Sequence, residues 1–243
     1  MIDVAIIGAG SAGLVAARHL ISAGLRPVLF EVAKTIGGAW TPSSDEHHHP
    51  ASKMWSGMRT NLSKYTCQFT DFPWPEGTQT FPSVEEMHHY LQSYSDTFLD
   101  HTSSSSSCEF LMECQVTNVE QLHNSDMAGA APLNLDDRKA NYKVEWLDLN
   151  TQKANCRDFG GVVIASGFFH TPCMPAFLQQ YINMNNNEYA PGCSRRLQMI
   201  HSSQYRSHNE FKDKNVAVIG GSFSSLEIAT DVSKSAGIPP PPP

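Results

Sequence analysis

Apolar positions open the chain in a continuous block, Val4-Ala5-Ile6-Ile7, which breaks at once into Gly8-Ala9-Gly10-Ser11-Ala12-Gly13. A short apolar run bounded by turn residues predicts a buried strand. Leu14, Val15, Ala16, Ala17, His19, Leu20 and Ile21 follow as a helix that stops near Gly24, and Pro27-Val28-Leu29-Phe30 forms a second strand ending at Glu31. Further on, Ser83 and Glu86 stand at capping-box spacing. Met87, Tyr90, Leu91, Tyr94 and Phe98 then recur at helical period, an aromatic stripe that reads as core. Glu109 to Val119 reads as a strand pair element, His123 to Arg138 as a hairpin loop, Tyr142 to Leu149 as an alternating strand, and Lys153 to Asp158 as the lead into another. The run from Phe159 through Gly160, Gly161, Val162, Val163 and Ile164 reads as a buried parallel strand closed by Ala165-Ser166-Gly167. The opening theme then repeats. Asn215 to Ile219 reads as a strand, Gly220 to Ser225 as its turn, and Leu226 to Val232 as a helix.

The first unit is strand, glycine turn, helix, strand and acid in one compact stretch. A lone GxGxxG is weak evidence, but this one has the context that dinucleotide binding requires. Gly8 turns the chain tightly off the strand. Gly10 lets the backbone approach a pyrophosphate, and Gly13 lets the helix pack closely on the sheet. The helix N-terminus, at Ser11 and Ala12, supplies free N–H groups for phosphates. Glu31, eighteen residues after Gly13, stands where a carboxylate accepts ribose hydroxyls. The bland alternative is a βαβ turn with chance glycines. In the second unit Ser222 and Ser225 replace two fingerprint glycines, so the match is weaker and a structural turn stays open as a reading.

Composition changes the picture mainly by exclusion. The 243 residues fit one large domain or two ordinary ones, and 40% apolar content suffices for a core. Net charge is −7, with no basic cluster, which argues against nucleic-acid binding. Six cysteines without a CxxC pair read as reduced thiols. No run approaches a membrane span, and Asp3 with the early glycines argues against a signal peptide. The expectation is a soluble, cytoplasmic protein, with peripheral membrane association left open. His47-His48-His49 reads as a solvated loop, and no metal site is expected.

Three loop features complete the candidates. Ile36-Gly37-Gly38-Ala39-Trp40 pairs glycines with an aromatic that could cover a flat ligand, or form an ordinary loop around a buried Trp. Asn61 carries both donors and an acceptor, but an Asn in a loop also suits an Asx-turn. Phe69 to Pro75 is proline- and aromatic-rich. Tyr181 to Gly192 reads as an exposed excursion, and the run Pro239 to Pro243 cannot continue a helix or strand.

Taken together, these segments resemble the flavin-containing monooxygenases over nearly the whole chain. The matches are GAGSAG with Glu31, IGGAW at Ile36 to Trp40, and Thr60 to Pro75. They continue with Ala165 to Pro175, His201 to Arg206, and Phe211 to Ser222. The resemblance implies an α/β fold. A Rossmann-like parallel sheet with a small antiparallel crossover (about 109–158) would bind FAD within 1–172, an incomplete second Rossmann unit for NADPH would occupy 173–237, and 238–243 would be a proline tail. FAD would lie on Gly8, Ala9, Gly10, Ser11, Ala12 and Gly13, with Glu31 on the ribose and Ala39, Trp40, Asn61 and Leu62 near the flavin. NADPH would use Gly220, Ser222, Ser224, Ser225, Leu226 and Glu227, with Thr60 and Asn61 near the nicotinamide. Such enzymes use NADPH and O2 to oxygenate soft nitrogen or sulfur nucleophiles in small molecules (N,N-dimethylaniline monooxygenase activity). Asn61 matches the family's catalytic Asn, which helps hold the oxygenated flavin.

Two departures qualify the match. The family signature FxGxxxHxxxY keeps His201 and Tyr205, but Arg195 and Leu197 replace its Phe and Gly. Family members also continue well past the second glycine turn, so the chain reads as truncated, with an apolar edge that favours association. The competing readings are a non-catalytic fragment with weak or no FAD binding, a Baeyer–Villiger-type monooxygenase (against which Tyr205, in place of Trp, argues), and a simple NAD-binding dehydrogenase domain.

Overall fold

In the computed structural model the described residues are 2–42, 54–55, 57–99, 107–122, 141–168, 171–178 and 198–237. The histidine triplet, most of the serine run, the 123–138 loop, the Asn-rich excursion, Arg195, Leu197 and the proline tail lie outside them.

Strands β1 (Asp3–Ile7), β2 (Arg26–Phe30), β3 (Glu109–Leu111) and β7 (Gly161–Ile164) form a parallel sheet in the order β3-β2-β1-β7. Both faces are covered, which is why its strands read as continuous apolar runs rather than alternating ones. Ile6, Leu29 and Val163 face helices α1 (Ser11–Ser22) and α3 (Val84–Phe98), where they meet Leu14, Ala17, Met87, Tyr90, Leu91 and Tyr94. Ala5, Val28, Phe30 and Val162 face the other way. There they meet an antiparallel sheet of β4 (Cys114–Gln121), β5 (Tyr142–Asp148) and β6 (Lys153–Phe159), through Cys114, Val144, Trp146 and Phe159. Phe30 packs edge-on against Trp146 and Phe159 at centroid distances of 5.0 and 5.9 Å. At the N-terminal end of β1, Arg157 joins Asp3 to Glu109, and Arg26 also reaches Glu109 at 2.7 Å.

The capping box is present: the Glu86 N–H donates to Ser83 Oγ at 3.2 Å and the Ser83 N–H to Glu86 Oε2 at 2.8 Å. The aromatic stripe is core, as expected, and it also holds the chain from Phe69 to Trp74, which passes the short helix α2 (Lys64–Cys67) on its way in. The Phe69 N–H donates to the Tyr90 hydroxyl at 2.8 Å, that hydroxyl donates to the Phe72 carbonyl, and Trp74 stacks on the Tyr90 ring at 4.0 Å. Arg18 on α1 pairs with Asp71 and lies 3.6 Å over the Phe98 ring.

Three expectations need correction. Residues 109–111 belong to the parallel sheet, not to the antiparallel crossover, which starts at Cys114. The apolar run from Phe159 is split: Phe159 ends β6, Gly160 turns, and β7 follows with Ile164 exposed. Asn215 to Ile219 is not a strand. Its backbone makes no hydrogen bond among the described residues, and no described strand lies alongside it to form a ladder. The helix after it, α4 (Phe223–Val232), starts earlier than the apolar spacing indicates, with Ser222 as its N-cap.

The His-x-x-x-Tyr pair is structural. His201 caps the short turn Ser202–Gln204, accepting the Ser203 N–H on Nδ1 at 3.1 Å. Tyr205 is buried among Trp55, Phe211, Ile228 and Val232, and its hydroxyl donates to Asp231 Oδ2 at 2.5 Å. Lys234 Nζ donates to the other carboxylate oxygen at 2.7 Å. Burial and the Asp231 carboxylate push the Tyr205 hydroxyl pKa up. Against the opposing effect of burial, Lys234 and Tyr205 hold Asp231 below the usual carboxylate range.

A raised tyrosine pKa contributes stability that is whole below about pH 10 and is lost as pH rises beyond it. Tyr205→Phe is expected to cost about 2 kcal/mol at neutral pH, the scale of a hydrogen bond to a charged group. It should also flatten the alkaline fall in stability, as read by urea unfolding between neutral pH and pH about 11.

Candidate dinucleotide site

The site forms at the C-terminal ends of β1 and β2, where open parallel sheets present ligand crevices. Gly8 has φ +106°, and its N–H donates to the Phe30 carbonyl at 2.8 Å. A Cβ on Gly8 would stand 2.5 Å from the Ala165 carbonyl oxygen, and one on Gly13 would stand 2.0 Å from the Gly8 carbonyl oxygen. Both glycines are therefore demanded by the protein itself. Gly10 is different. It is extended, with φ −78°, and among the described residues a Cβ there meets nothing closer than the Gly38 Cα at 3.7 Å. Packing among the described residues does not require its missing side chain. Gly10 is also the N-cap of α1 with no side-chain cap, and no acid stands in the first turn. The first N–H groups of α1 are thus open to an anion.

Glu31 is buried, and its carboxylate accepts the Ala9 N–H at 2.8 Å on Oε2 and the Ala33 N–H at 3.0 Å on Oε1. An ionised carboxylate offers about four acceptor positions, so each oxygen keeps one for a hydroxyl. Glu31 therefore has a second task that its spacing did not show: it fixes the glycine turn from beneath.

The second glycine loop lies against the first. The Gly37 N–H donates to the Ala9 carbonyl at 3.0 Å, with φ +124° at Gly37 and +57° at Gly38. A short 3-10 turn, Gly38–Trp40, carries Ala39 and Trp40, and Trp40 packs half-buried on the helix-side core. His88 Nε2 donates to the Ile36 carbonyl at 3.0 Å from α3. Sequence reasoning missed His88, because a histidine beside a buried methionine on an amphipathic helix carries no signal of its own.

Thr60, Asn61 and Leu62 are held elsewhere. The Thr60 N–H donates to the Pro82 carbonyl at 2.9 Å and its hydroxyl to the Leu62 carbonyl at 2.7 Å. Asn61 and Leu62 are exposed, and the Asn61 amide has no hydrogen-bond partner among the described residues. It is not tied up in an Asx-turn. No hydrogen bond joins this segment to the glycine turn among the described residues.

The second set gathers at the start of α4. Gly220 has φ +142°, Gly221 faces open space, and Ser222 caps the helix without a side-chain bond. Ser225 Oγ donates to the Ser222 carbonyl at 2.6 Å. Ser224 and Leu226 are exposed, and burial pushes the half-buried Glu227 carboxyl pKa up. A cleft of about 450 Å³ lies behind this helix, between residues 215–218 and Ala229, Val232 and Ala236, at the opposite end from Ser222. No helix among the described residues is long and apolar enough to cross a membrane.

A family model described as flavin-binding monooxygenase-like matches residues 2–238. Flavin-containing monooxygenase 1 of Homo sapiens is 27% identical over 235 residues, covering 96% of this chain and 38% of that protein. Flavin-containing monooxygenase 3 of Canis lupus familiaris is 31% identical, with the same coverage of 96% and 38%. The chain thus spans well under half the length of these relatives. Among solved structures, S-allyl-L-cysteine S-oxygenase from Allium sativum superposes with a TM-score of 0.74 at 27% identity, over 97% of this chain and 49% of that one. Tmm from Pelagibacter sp. matches the fold with a TM-score of 0.71 at 22% identity, over 96% and 49% of the respective chains. The matched family is flavin-binding by its description. From the first strand to the end of the second glycine unit, this chain belongs to the flavin-binding monooxygenase-like family.

Proposed function

We propose that the turn from Gly8 to Gly13 binds FAD. We further propose that the chain serves a flavin-dependent monooxygenase that uses NADPH and O2 to oxygenate soft nitrogen or sulfur nucleophiles in small molecules. The observation that carries the reading is Gly10. The described residues do not need a glycine there, whereas a pyrophosphate running over the turn would. The open N–H groups of Ser11 and Ala12 would take the phosphates, and the spare acceptor capacity of Glu31 would take ribose hydroxyls.

When bound, the flavin supplies the redox and oxygen chemistry, and the protein supplies position and shelter. Ala39, Trp40, Asn61 and Leu62 would lie toward the flavin. Asn61, whose amide has no hydrogen-bond partner among the described residues, is suited to hydrogen-bond a reacting oxygen. Thr60 would hold Asn61 in place through its two backbone bonds. NADPH would approach Gly220, Ser222, Ser224, Ser225, Leu226 and Glu227 at the start of α4, whose N-cap Ser222 makes no side-chain bond. The sulfur preference draws support from the name of the Allium sativum S-oxygenase, 27% identical to this chain.

Two glycine variants separate binding from folding. Gly10→Ala should keep the melting temperature within about 2 °C, since its Cβ meets only ordinary contact, and should weaken FAD binding at least about tenfold in a fluorescence titration. Gly13→Ala should lose the fold, by about 3 kcal/mol or more, because its Cβ would overlap the Gly8 carbonyl. Equal FAD affinity of the Gly10→Ala and wild-type chains would remove the basis of the reading.

A further inference from the structure

We infer that His88 is a positioning residue for the dinucleotide turn, acting through the Ile36–Trp40 loop rather than by touching the ligand. The inference rests on the FAD reading above. A carbonyl only accepts, so the 3.0 Å contact with the Ile36 oxygen requires the hydrogen on His88 Nε2. The same ring closes over Gly37, where a Cβ would stand 2.7 Å from His88 Cδ2 and 3.2 Å from Thr41 Oγ1. The bare Gly37 Cα is therefore clamped between α3 and the end of its own loop. From there the contacts run directly into the site. The Gly37 N–H donates to the Ala9 carbonyl at 3.0 Å, and the Ala9 N–H donates to Glu31 Oε2 at 2.8 Å. A Cβ on Gly38 would stand 3.1 Å from the Gly10 Cα, so the two glycine loops face each other across Gly10.

The loop needs an outside hold. Gly37 and Gly38 occupy two successive positive-φ conformations, and glycine loses more conformational freedom on ordering than any other residue. Its neighbour α3 can provide that hold. It is capped at Ser83 and anchored by Met87, Tyr90, Leu91 and Tyr94, all buried. His88 itself is only half-buried and is absent from the apolar core, so its contribution lies in the contact it makes rather than in the space it fills. Without the contact, the second glycine loop would sample positions that open or close the space beside Gly10, and the bound state would have to order it at the cost of affinity.

The test compares wild type, His88→Leu, which fills the space without a donor, and His88→Gln, which keeps an N–H donor near the Nε2 position. Three quantities are read. These are amide hydrogen exchange at Gly37 and Gly38 without ligand, FAD affinity by fluorescence titration, and melting temperature. His88→Leu is expected to speed exchange at Gly37 and to weaken FAD binding about five- to tenfold, the scale of one hydrogen bond. Its melting temperature should fall by no more than about 4 °C, and His88→Gln should restore most of the affinity. Unchanged exchange at Gly37 in His88→Leu would overturn the inference whether or not FAD binds. So would equal FAD affinity of wild type and His88→Leu, or equal loss of affinity in both variants alongside a large fall in melting temperature. A wild-type chain that binds no FAD would count against the flavin reading, and the exchange comparison would still decide the role of His88.

Discussion

The helix α1 can lie where it does only because Gly13 has no side chain. Its Cα faces the Gly8 carbonyl so closely that a Cβ would fall 2.0 Å from the oxygen. This one contact fixes how the first helix leaves the first strand, and so where the open N–H groups of α1 point. Gly8 makes the turn possible at φ +106°, and the Ala165 backbone at the end of β7 closes over it. Glu31 then locks the turn from the end of the neighbouring strand. The proposed phosphate-binding role of the turn draws on these packing constraints, since the geometry that brings helix and strand together leaves the start of α1 without a side-chain cap.

The sheet behind the turn is held from both sides. Alternate residues of β1, β2 and β7 supply two separate cores, one under α1 and α3 and one under the antiparallel sheet. Burial on two faces gives the turn a rigid base, and α3 extends that base outward. Its aromatic face holds the Phe69–Trp74 segment, and His88 holds the second glycine loop. The Ile36–Trp40 loop, which carries the candidate contacts Ala39 and Trp40, is thus fastened to a helix that carries none of the expected site residues.

Much of this was legible in the sequence where one local rule dominates. The first βαβ unit, the Ser83 capping box and the aromatic stripe of α3 each depend on neighbours close in the chain. Features set by distant partners were not legible. The strand β3 is three residues long, and Glu109 to Leu111 carry no pattern that tells which sheet they will join. Residues 215–219 have strand composition, but composition does not supply a neighbour to pair with. In the site, the roles of Gly8 and Gly13 were readable from spacing. The grip of Glu31 on Ala9 and of His88 on Ile36 joins residues 22 and 52 positions apart and needed the fold. Tyr205 shows the same limit: its motif spacing carries no sign that its hydroxyl serves the buried carboxylate of Asp231, 26 residues on.

The most direct test of the dinucleotide site is the absorption spectrum of the purified chain after incubation with FAD and removal of free ligand. Flavin bands are expected to stay with the protein in near one-to-one proportion. A colourless chain, correctly folded by circular dichroism and unchanged by added FAD, would contradict it, and the glycine turn would then be a packing device alone.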